Sequence, residues 1–106
     1  MSDKIKITPS EIYANAIMEF GVDAQIDMLH EEVGELLSAI NKYKRGRVGN
    51  EDVITEIADV MIMCGQMAFV FGPVQTECEM KRKLVRIQQR IDERRKQNKT
   101  NKQIEK

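Results

Sequence analysis

The stretch EIADVMIMCGQMAFVF, residues 56–71, decides the fold of this chain. After Glu56, its only strongly polar side chains are Asp59 and Gln66. A helix that is apolar almost all round must be covered on most of its sides. We therefore predict a helix over about 51–71 at the centre of an all-α protein.

Two further helices are expected before this segment. The sequence TPSE at residues 8–11 has the pattern of a capping box with proline at the first helical position, so a helix should begin there. Gly21 is its predicted end. Asp23 is the predicted cap of a second helix, which reaches about Tyr43 and carries its apolar residues on one arc of its surface. A basic loop follows, and Asn50 is the predicted cap of the central helix.

A fourth helix is expected after Gly72 and Pro73, which end the central helix. It carries a single apolar seam at helical spacing, formed by Met80, Leu84, Ile87 and Ile91. Residues 97–106 have almost nothing to bury and are predicted to form a flexible basic tail. We thus expect one domain over residues 1–96, folded as a four-to-five-helix antiparallel bundle.

Length and charge suggest how this domain is completed. A chain of 106 residues has too few helices to cover an apolar central helix, so we expect a homodimer or homotetramer to complete the core. Net charge is zero but segregated: residues 1–80 hold 14 acidic and 6 basic side chains, and residues 81–106 hold 3 and 11.

The compartment is predicted from what the sequence lacks. Cys64 and Cys78 have no spacing typical of a zinc site, and a reducing, cytoplasmic location fits them best. No secretory signal is recognised at the N-terminus. The longest apolar run is shorter than the roughly 20 residues of a membrane span and contains an aspartate, so no membrane partner is expected.

Two carboxylate patterns carry the chemistry. EExxE occupies residues 31–35 and ExxD occupies residues 56–59. Positions i and i+3 share a helix face, so each pattern gives a carboxylate pair. Across a helix hairpin, the two pairs would form an oxygen-only site for Mg²⁺ or Mn²⁺. The alternatives are neutralisation by Lys or Arg from the fourth helix or a second subunit, a protonated structural pair, and a solvated acidic face.

These patterns also carry a family resemblance. EEVGELL at 31–37 and EIADVMI at 56–62, with the gap between them, resemble the MazG-type all-α nucleoside triphosphate pyrophosphohydrolases. That superfamily includes dimeric all-α dUTPases and phosphoribosyl-ATP pyrophosphohydrolase. The resemblance covers about residues 20–92 and is closest to the stand-alone, single-domain type. It implies a MazG-like bundle and hydrolysis of an NTP or dNTP between the α- and β-phosphates, giving a monophosphate and pyrophosphate.

The resemblance also implies roles for individual residues. Mg²⁺, or Mn²⁺ as its substitute, would be held by Glu32, Glu35, Glu56 and Asp59. These four and Glu31 are the catalytic candidates, and the general base is one of the four or Glu31 acting through a water. Glu31 points away from the apolar arc of its helix, which favours a supporting role. The predicted phosphate-binding residues are Lys81, Lys83 and Arg86, and Gln25 is the predicted contact to base or sugar.

The sequence lacks two features that nucleotide-hydrolysing proteins can carry. The chain lacks the tryptophan that several MazG-like proteins carry near the N-terminus, so base recognition is the least defined part of the resemblance. It also lacks a glycine-rich P-loop, so it is not a P-loop NTPase.

The alternative function is that of a helical interaction protein or nucleic-acid-binding protein that uses its basic C-terminal segment. Nucleic acid is the less favoured partner because no aromatic residues lie between the basic ones. A catalytically idle family member is a third reading.

Overall fold

The computed structural model describes residues 6–105, and this part of the chain is helical without any strand. The all-α class is therefore confirmed. Residues 1–5, where part of the predicted absence of a secretory signal falls, and the last residue of the predicted tail lie outside the described part. The four helices are α1 Pro9–Phe20, α2 Val22–Lys44, α3 Asn50–Phe71 and α4 Pro73–Glu105.

Helix starts and stops follow the predicted signals in part. The capping box at α1 is confirmed: the Glu11 amide donates to Thr8 Oγ1 at 3.2 Å, and the Thr8 amide donates to the Glu11 carboxylate. Gly21, with a φ of 88°, ends α1 as predicted. The cap predicted at Asp23 is wrong, because α2 already begins at Val22 and Asp23 lies in its first turn. An acid there still interacts favourably with the helix dipole.

The second boundary error lies at α3. Asn50 is the first helical residue and Gly49 is the cap, so the predicted cap at Asn50 is one residue late. Neither α2 nor α3 has a side-chain cap at its start. The predicted end of α3 is confirmed, since Gly72 adopts a φ of 140° and Pro73 begins the next helix.

The first 72 residues contain a compact unit, which in its described part is built by α1, α2 and α3. Five residues join α2 to α3, and the start of α2 meets the end of α3, so the two helices form an antiparallel hairpin. Helix α1 packs mainly on α3. There a Cβ atom added to Gly65 would lie 2.5 Å from Tyr13 Cζ, so the absence of a side chain at Gly65 admits the Tyr13 ring.

This three-helix unit has a small core. The buried residues are Gln25, Ala39, Met63 and Gln66. Large apolar side chains on α3 remain exposed, including Ile54 at 60% and Met61 at 67%. The hairpin therefore leaves an apolar face of α3 in contact with solvent.

Helix α3 also qualifies as a membrane span by length and composition. The uninterrupted apolar run is shorter than a membrane span, but the whole helix has 22 residues. The same composition is typical of the central helix of a water-soluble protein. Glu56 and Asp59 in the middle of α3 are costly to place in lipid.

Residues 73–106 are a second compact unit. Its helix α4 continues through Glu105, about ten residues beyond the predicted end of the fourth helix, and the flexibility of residues 97–106 stays a prediction. Residues 97–105 contain neither Gly nor Pro, and their Lys, Gln and Glu residues favour helix even without a buried face, whereas Asn98, Thr100 and Asn101 favour it less. Side chains from Pro73 to Ile104 are exposed throughout.

Candidate functional site

Three carboxylates converge where α2 and α3 face each other. Glu32 and Glu35 lie one turn apart on α2, and Glu56 lies opposite them on α3. Each offers a carboxylate oxygen, and these oxygens lie within 4.8 Å of one another. We call Glu32, Glu35 and Glu56 the carboxylate cluster. The hairpin thus brings the two sequence patterns together, as their helical spacing predicts.

Two oxygens of the carboxylate cluster lack a partner. Glu32 Oε2 and Glu56 Oε2 are shielded from solvent and accept no hydrogen bond within the described structure. A shielded carboxylate oxygen without a donor is unfavourable, and such atoms are rare in folded proteins. The two orphan acceptors belong to opposite helices, so one ligand between the helices would satisfy both.

No positively charged side chain compensates the negative charge of the carboxylate cluster in the described structure. Burial raises the pKa of Glu32 and of Glu56 above the ordinary value of 4.5, and the charges of Glu35 and Asp59 and a side-chain hydrogen bond with Glu35 raise both further. No Lys or Arg in the described part of the chain forms an ion pair with these groups; the two ion pairs found there both lie within α4. Neutralisation by Lys or Arg is therefore not seen for the cluster in this structure.

Asp59 and Glu31 occupy different positions relative to the cluster. Asp59 is half-buried one turn after Glu56, and its charge acts on both Glu32 and Glu56. It is not among the three mutually close carboxylates, so its role as a fourth ligand stays a prediction. Glu31 is exposed and lies outside the cluster, as its helical angle predicts.

The donor set fits a hard divalent cation. Mg²⁺ and Mn²⁺ prefer carboxylate oxygens, and a metal ion can accept two lone pairs that no hydrogen-bond donor reaches. Glu32, Glu35 and Glu56 could supply three such ligands, and Asp59 follows Glu56 by about one turn on α3. The orphan oxygens of Glu32 and Glu56 are the observation that supports this fit.

Gln25 is buried instead of lying on the surface. Its Nε2 donates a 2.5 Å hydrogen bond to Gln66 Oε1, and Gln66 Nε2 lies 3.7 Å from Met63 Sδ. The predicted contact of Gln25 to base or sugar stays a prediction, and it would have to compete with this bond. Gln66 was not singled out from the sequence, yet it is one of two strongly polar interruptions in the apolar stretch.

The predicted phosphate-binding residues lie on α4. Lys81 is exposed and forms an ion pair with Glu77 at 3.6 Å. Lys83 and Arg86 line a shallow pocket of about 260 Å³ together with Ile87 and Arg90. Their phosphate-binding role stays a prediction.

A larger cavity adjoins the cluster on the side of the α2–α3 loop. It has a volume of about 320 Å³ and is lined in part by Glu35 and Glu56. Further along it lie Ser38 and Lys42 from α2 and Asp52 and Thr55 from α3. Sequence reasoning missed Ser38, Asp52 and Thr55. The signal was their spacing, since Ser38 follows Glu35 by three residues and Asp52 precedes Glu56 by four.

Comparison with known proteins adds no relative to this picture: no family model, no curated protein and no solved structure matches the chain.

Proposed function

We propose that this protein is a Mg²⁺-dependent nucleoside triphosphate pyrophosphohydrolase of the MazG-like type. The observation that carries the proposal is the carboxylate cluster with its two orphan oxygens, formed by the residues that the resemblance selects. The substrate would be an NTP or dNTP, and the products would be the monophosphate and pyrophosphate. Mn²⁺ is expected to substitute for Mg²⁺.

The side chains have distinct tasks in this proposal. Glu32, Glu35 and Glu56 hold the cation, and Asp59 completes the ligand set from the next turn of α3. When bound, the ion would neutralise phosphate charge, orient the α-phosphorus and lower the pKa of a water molecule. One of these carboxylates, or exposed Glu31 through a water, accepts the proton of the attacking water.

The proposed assembly is a homodimer or homotetramer. Ile54, Ile57 and Met61 follow one another at helical spacing on α3 and are exposed by 60%, 42% and 67%. Burying one such side chain contributes about 1.5–3 kcal/mol, so an uncovered row of three is a strong drive for association. A second copy of the same face is the proposed cover.

A second candidate function rests on α4. Its side chains are exposed, and Lys83, Arg86 and Arg90 lie on one side of it without an ion pair in the described structure. Such a helix also suits a binding protein that contacts acidic partners or nucleic-acid phosphates. That function predicts steep loss of binding with salt and no dependence on Glu56.

The test is pyrophosphate release from a panel of NTPs and dNTPs with Mg²⁺ and with Mn²⁺. Wild type is compared with Glu56→Gln, and Glu19→Gln on α1 is the matched control for loss of a carboxylate. We expect turnover in wild type and in Glu19→Gln, and none in Glu56→Gln. Absence of turnover on every nucleotide with both ions would reject the proposed activity and favour the binding function of α4.

A further inference from the structure

The cavity beside the carboxylate cluster extends in one direction only. Toward the other end of the hairpin, Met63, Gln66 and Gln25 are buried and fill the space between α2 and α3. Toward the α2–α3 loop, the space stays open as the 320 Å³ cavity. Within the three-helix unit, a ligand bound at the cluster therefore has room to continue only along Ser38 and Asp52.

Charge decides which half of a nucleoside triphosphate suits this cavity. Beyond Glu35 and Glu56, it is lined by one acid, Asp52, and one base, Lys42, with Ala39 and Val48 as apolar wall. Pyrophosphate carries several negative charges, and beyond the carboxylates assigned to the cation the lining has no net positive charge to hold it, since Asp52 offsets Lys42. A nucleoside is uncharged, has sugar hydroxyl donors and has a base with apolar ring faces and polar edges, so it matches the lining.

The polar residues of the cavity lie at increasing distances from the carboxylate cluster, as the sugar and the base lie at increasing distances from the α-phosphate of a nucleotide. Ser38 and Asp52 each lie about one helical turn, roughly 5–6 Å, from the cluster. Lys42 lies two turns, about 10 Å, beyond Glu35. In a nucleotide the sugar follows the α-phosphate directly, and the base follows the sugar.

We propose that the cavity binds the nucleoside half of the substrate, with its sugar between Ser38 and Asp52. The inference rests on the proposed function. The Asp52 carboxylate has no hydrogen bond or ion pair in the described structure and is free to accept from a sugar hydroxyl. The Thr55 hydroxyl already donates to the Glu51 carbonyl at 3.1 Å, so it contributes shape instead of a free donor.

Asp52 also has an alternative, structural role that the test must separate. It lies in the first turn of α3, where an acid stabilises the helix by about 0.3–1 kcal/mol through the helix dipole. Glu51 lies in the same turn, carries the same charge and does not line the cavity. Glu51→Gln is therefore the matched control for Asp52→Asn.

The experiment measures binding and turnover separately. Ribo- and deoxyribonucleoside triphosphates of each base are titrated calorimetrically in Ca²⁺, and kcat and KM are measured in Mg²⁺. Mn²⁺ affinity is measured without nucleotide. We expect Asp52→Asn to weaken nucleotide binding and raise KM by about 10- to 100-fold, the range for a hydrogen bond to a charged group. The ratio between the affinities for ribo- and deoxyribonucleotides should become smaller in Asp52→Asn. The Mn²⁺ affinity of this variant should stay within about twofold of wild type. Glu51→Gln should match wild type.

Each result separates the two proposals. If Asp52→Asn behaves like Glu51→Gln, or loses Mn²⁺ affinity as much as nucleotide affinity, the sugar site is wrong even where turnover stands. If wild type binds nucleotides through Asp52 but hydrolyses none, the proposed activity is wrong and the nucleoside cavity stands. No nucleotide binding by wild type overturns both.

Discussion

Gln25 on α2 donates a 2.5 Å hydrogen bond to Gln66 on α3, and both side chains are buried. This bond ties the start of α2 to the end of α3, at the opposite end of the hairpin from the connecting loop. It is one of the contacts that hold the register in which Glu32 and Glu35 meet Glu56. The same pair closes the interhelical space behind the carboxylate cluster.

Replacing one glutamine of this pair should lower the free energy of unfolding more than replacing both. Gln25→Leu leaves Gln66 Oε1 buried without its donor, and we expect a loss of about 1–3 kcal/mol in the free energy of unfolding. Gln25→Leu combined with Gln66→Leu removes both polar groups and should lose less than Gln25→Leu alone. Urea denaturation of the two single variants and the double variant measures this. Additive losses would show that the two amides do not depend on each other.

Stability should depend on pH through the carboxylate cluster. Because the pKa of Glu32 and of Glu56 is raised in the folded state, that state binds protons more tightly than the unfolded chain. Their effect is thus a loss of stability as pH rises from about 4.5 through the raised pKa values. Without metal, Glu56→Gln should reduce this loss. The urea midpoints of wild type and Glu56→Gln are measured across pH 4.5–8. An equal fall of the midpoint with pH in both proteins would contradict the prediction.

Divalent metal ions should counteract the loss of stability at higher pH. A cation binds the ionised carboxylates, so Mg²⁺ or Mn²⁺ should raise the melting temperature at pH 7.5 and much less at pH 4.5. Glu32→Gln should lose most of the shift, while Glu19→Gln should keep it. Thermal melts with and without each ion provide the measurement, and Ca²⁺ serves to compare a larger ion. An equal metal shift in Glu32→Gln and wild type would rule the cluster out as the binding site.

Two helical glycines should respond oppositely to alanine. Gly34 has open space around it, and Gly34→Ala should gain about 0.5–1 kcal/mol from helix propensity. At Gly65 the new Cβ would lie 2.5 Å from Tyr13 Cζ, so the ring must move and α1 packs less well on α3. Gly65→Ala should be less stable than Gly34→Ala by about 1–3 kcal/mol. Chemical denaturation compares the two, and equal gains would show that Tyr13 does not pack on Gly65.

Association should depend on the exposed face of α3. Light scattering should give at least twice the chain mass of 12.2 kDa for wild type. Met61→Glu places a charge in the proposed interface and should shift the protein toward monomer, whereas Asn41→Glu on α2 should not. A wild-type mass of one chain at high concentration would reject the homodimer.

The sequence predicts the helices well because their signals are local. The side-chain hydrogen bonds of the capping box at Thr8 and the backbone conformations of the glycines at positions 21 and 72 set three of the boundaries. The starts of α2 and α3 are missed because glycine at Gly21 and Gly49 takes the cap position without any side-chain hydrogen bond. The extent of α4 is missed because its end follows helix propensity, while the prediction weighed burial.

The sequence patterns predict that the carboxylates meet, but they do not predict which residues surround them. Spacing of three residues places Glu32 with Glu35 on one face of α2 and Glu56 with Asp59 on one face of α3. An antiparallel hairpin in the observed register then brings Glu32, Glu35 and Glu56 together. The burial of Gln25 and the lining role of Asp52 depend on the register between α2 and α3. That register is set by packing of both helices, and neither helix alone encodes it.

The most direct test of the central claim is the site of bond cleavage. The nucleotide that releases most pyrophosphate is hydrolysed in ¹⁸O-labelled water with Mg²⁺, and the products are followed by phosphorus NMR. The account predicts monophosphate carrying the label and unlabelled pyrophosphate, with no reaction in Glu56→Gln. Label in pyrophosphate, release of single phosphates, or no hydrolysis of any nucleotide would contradict it.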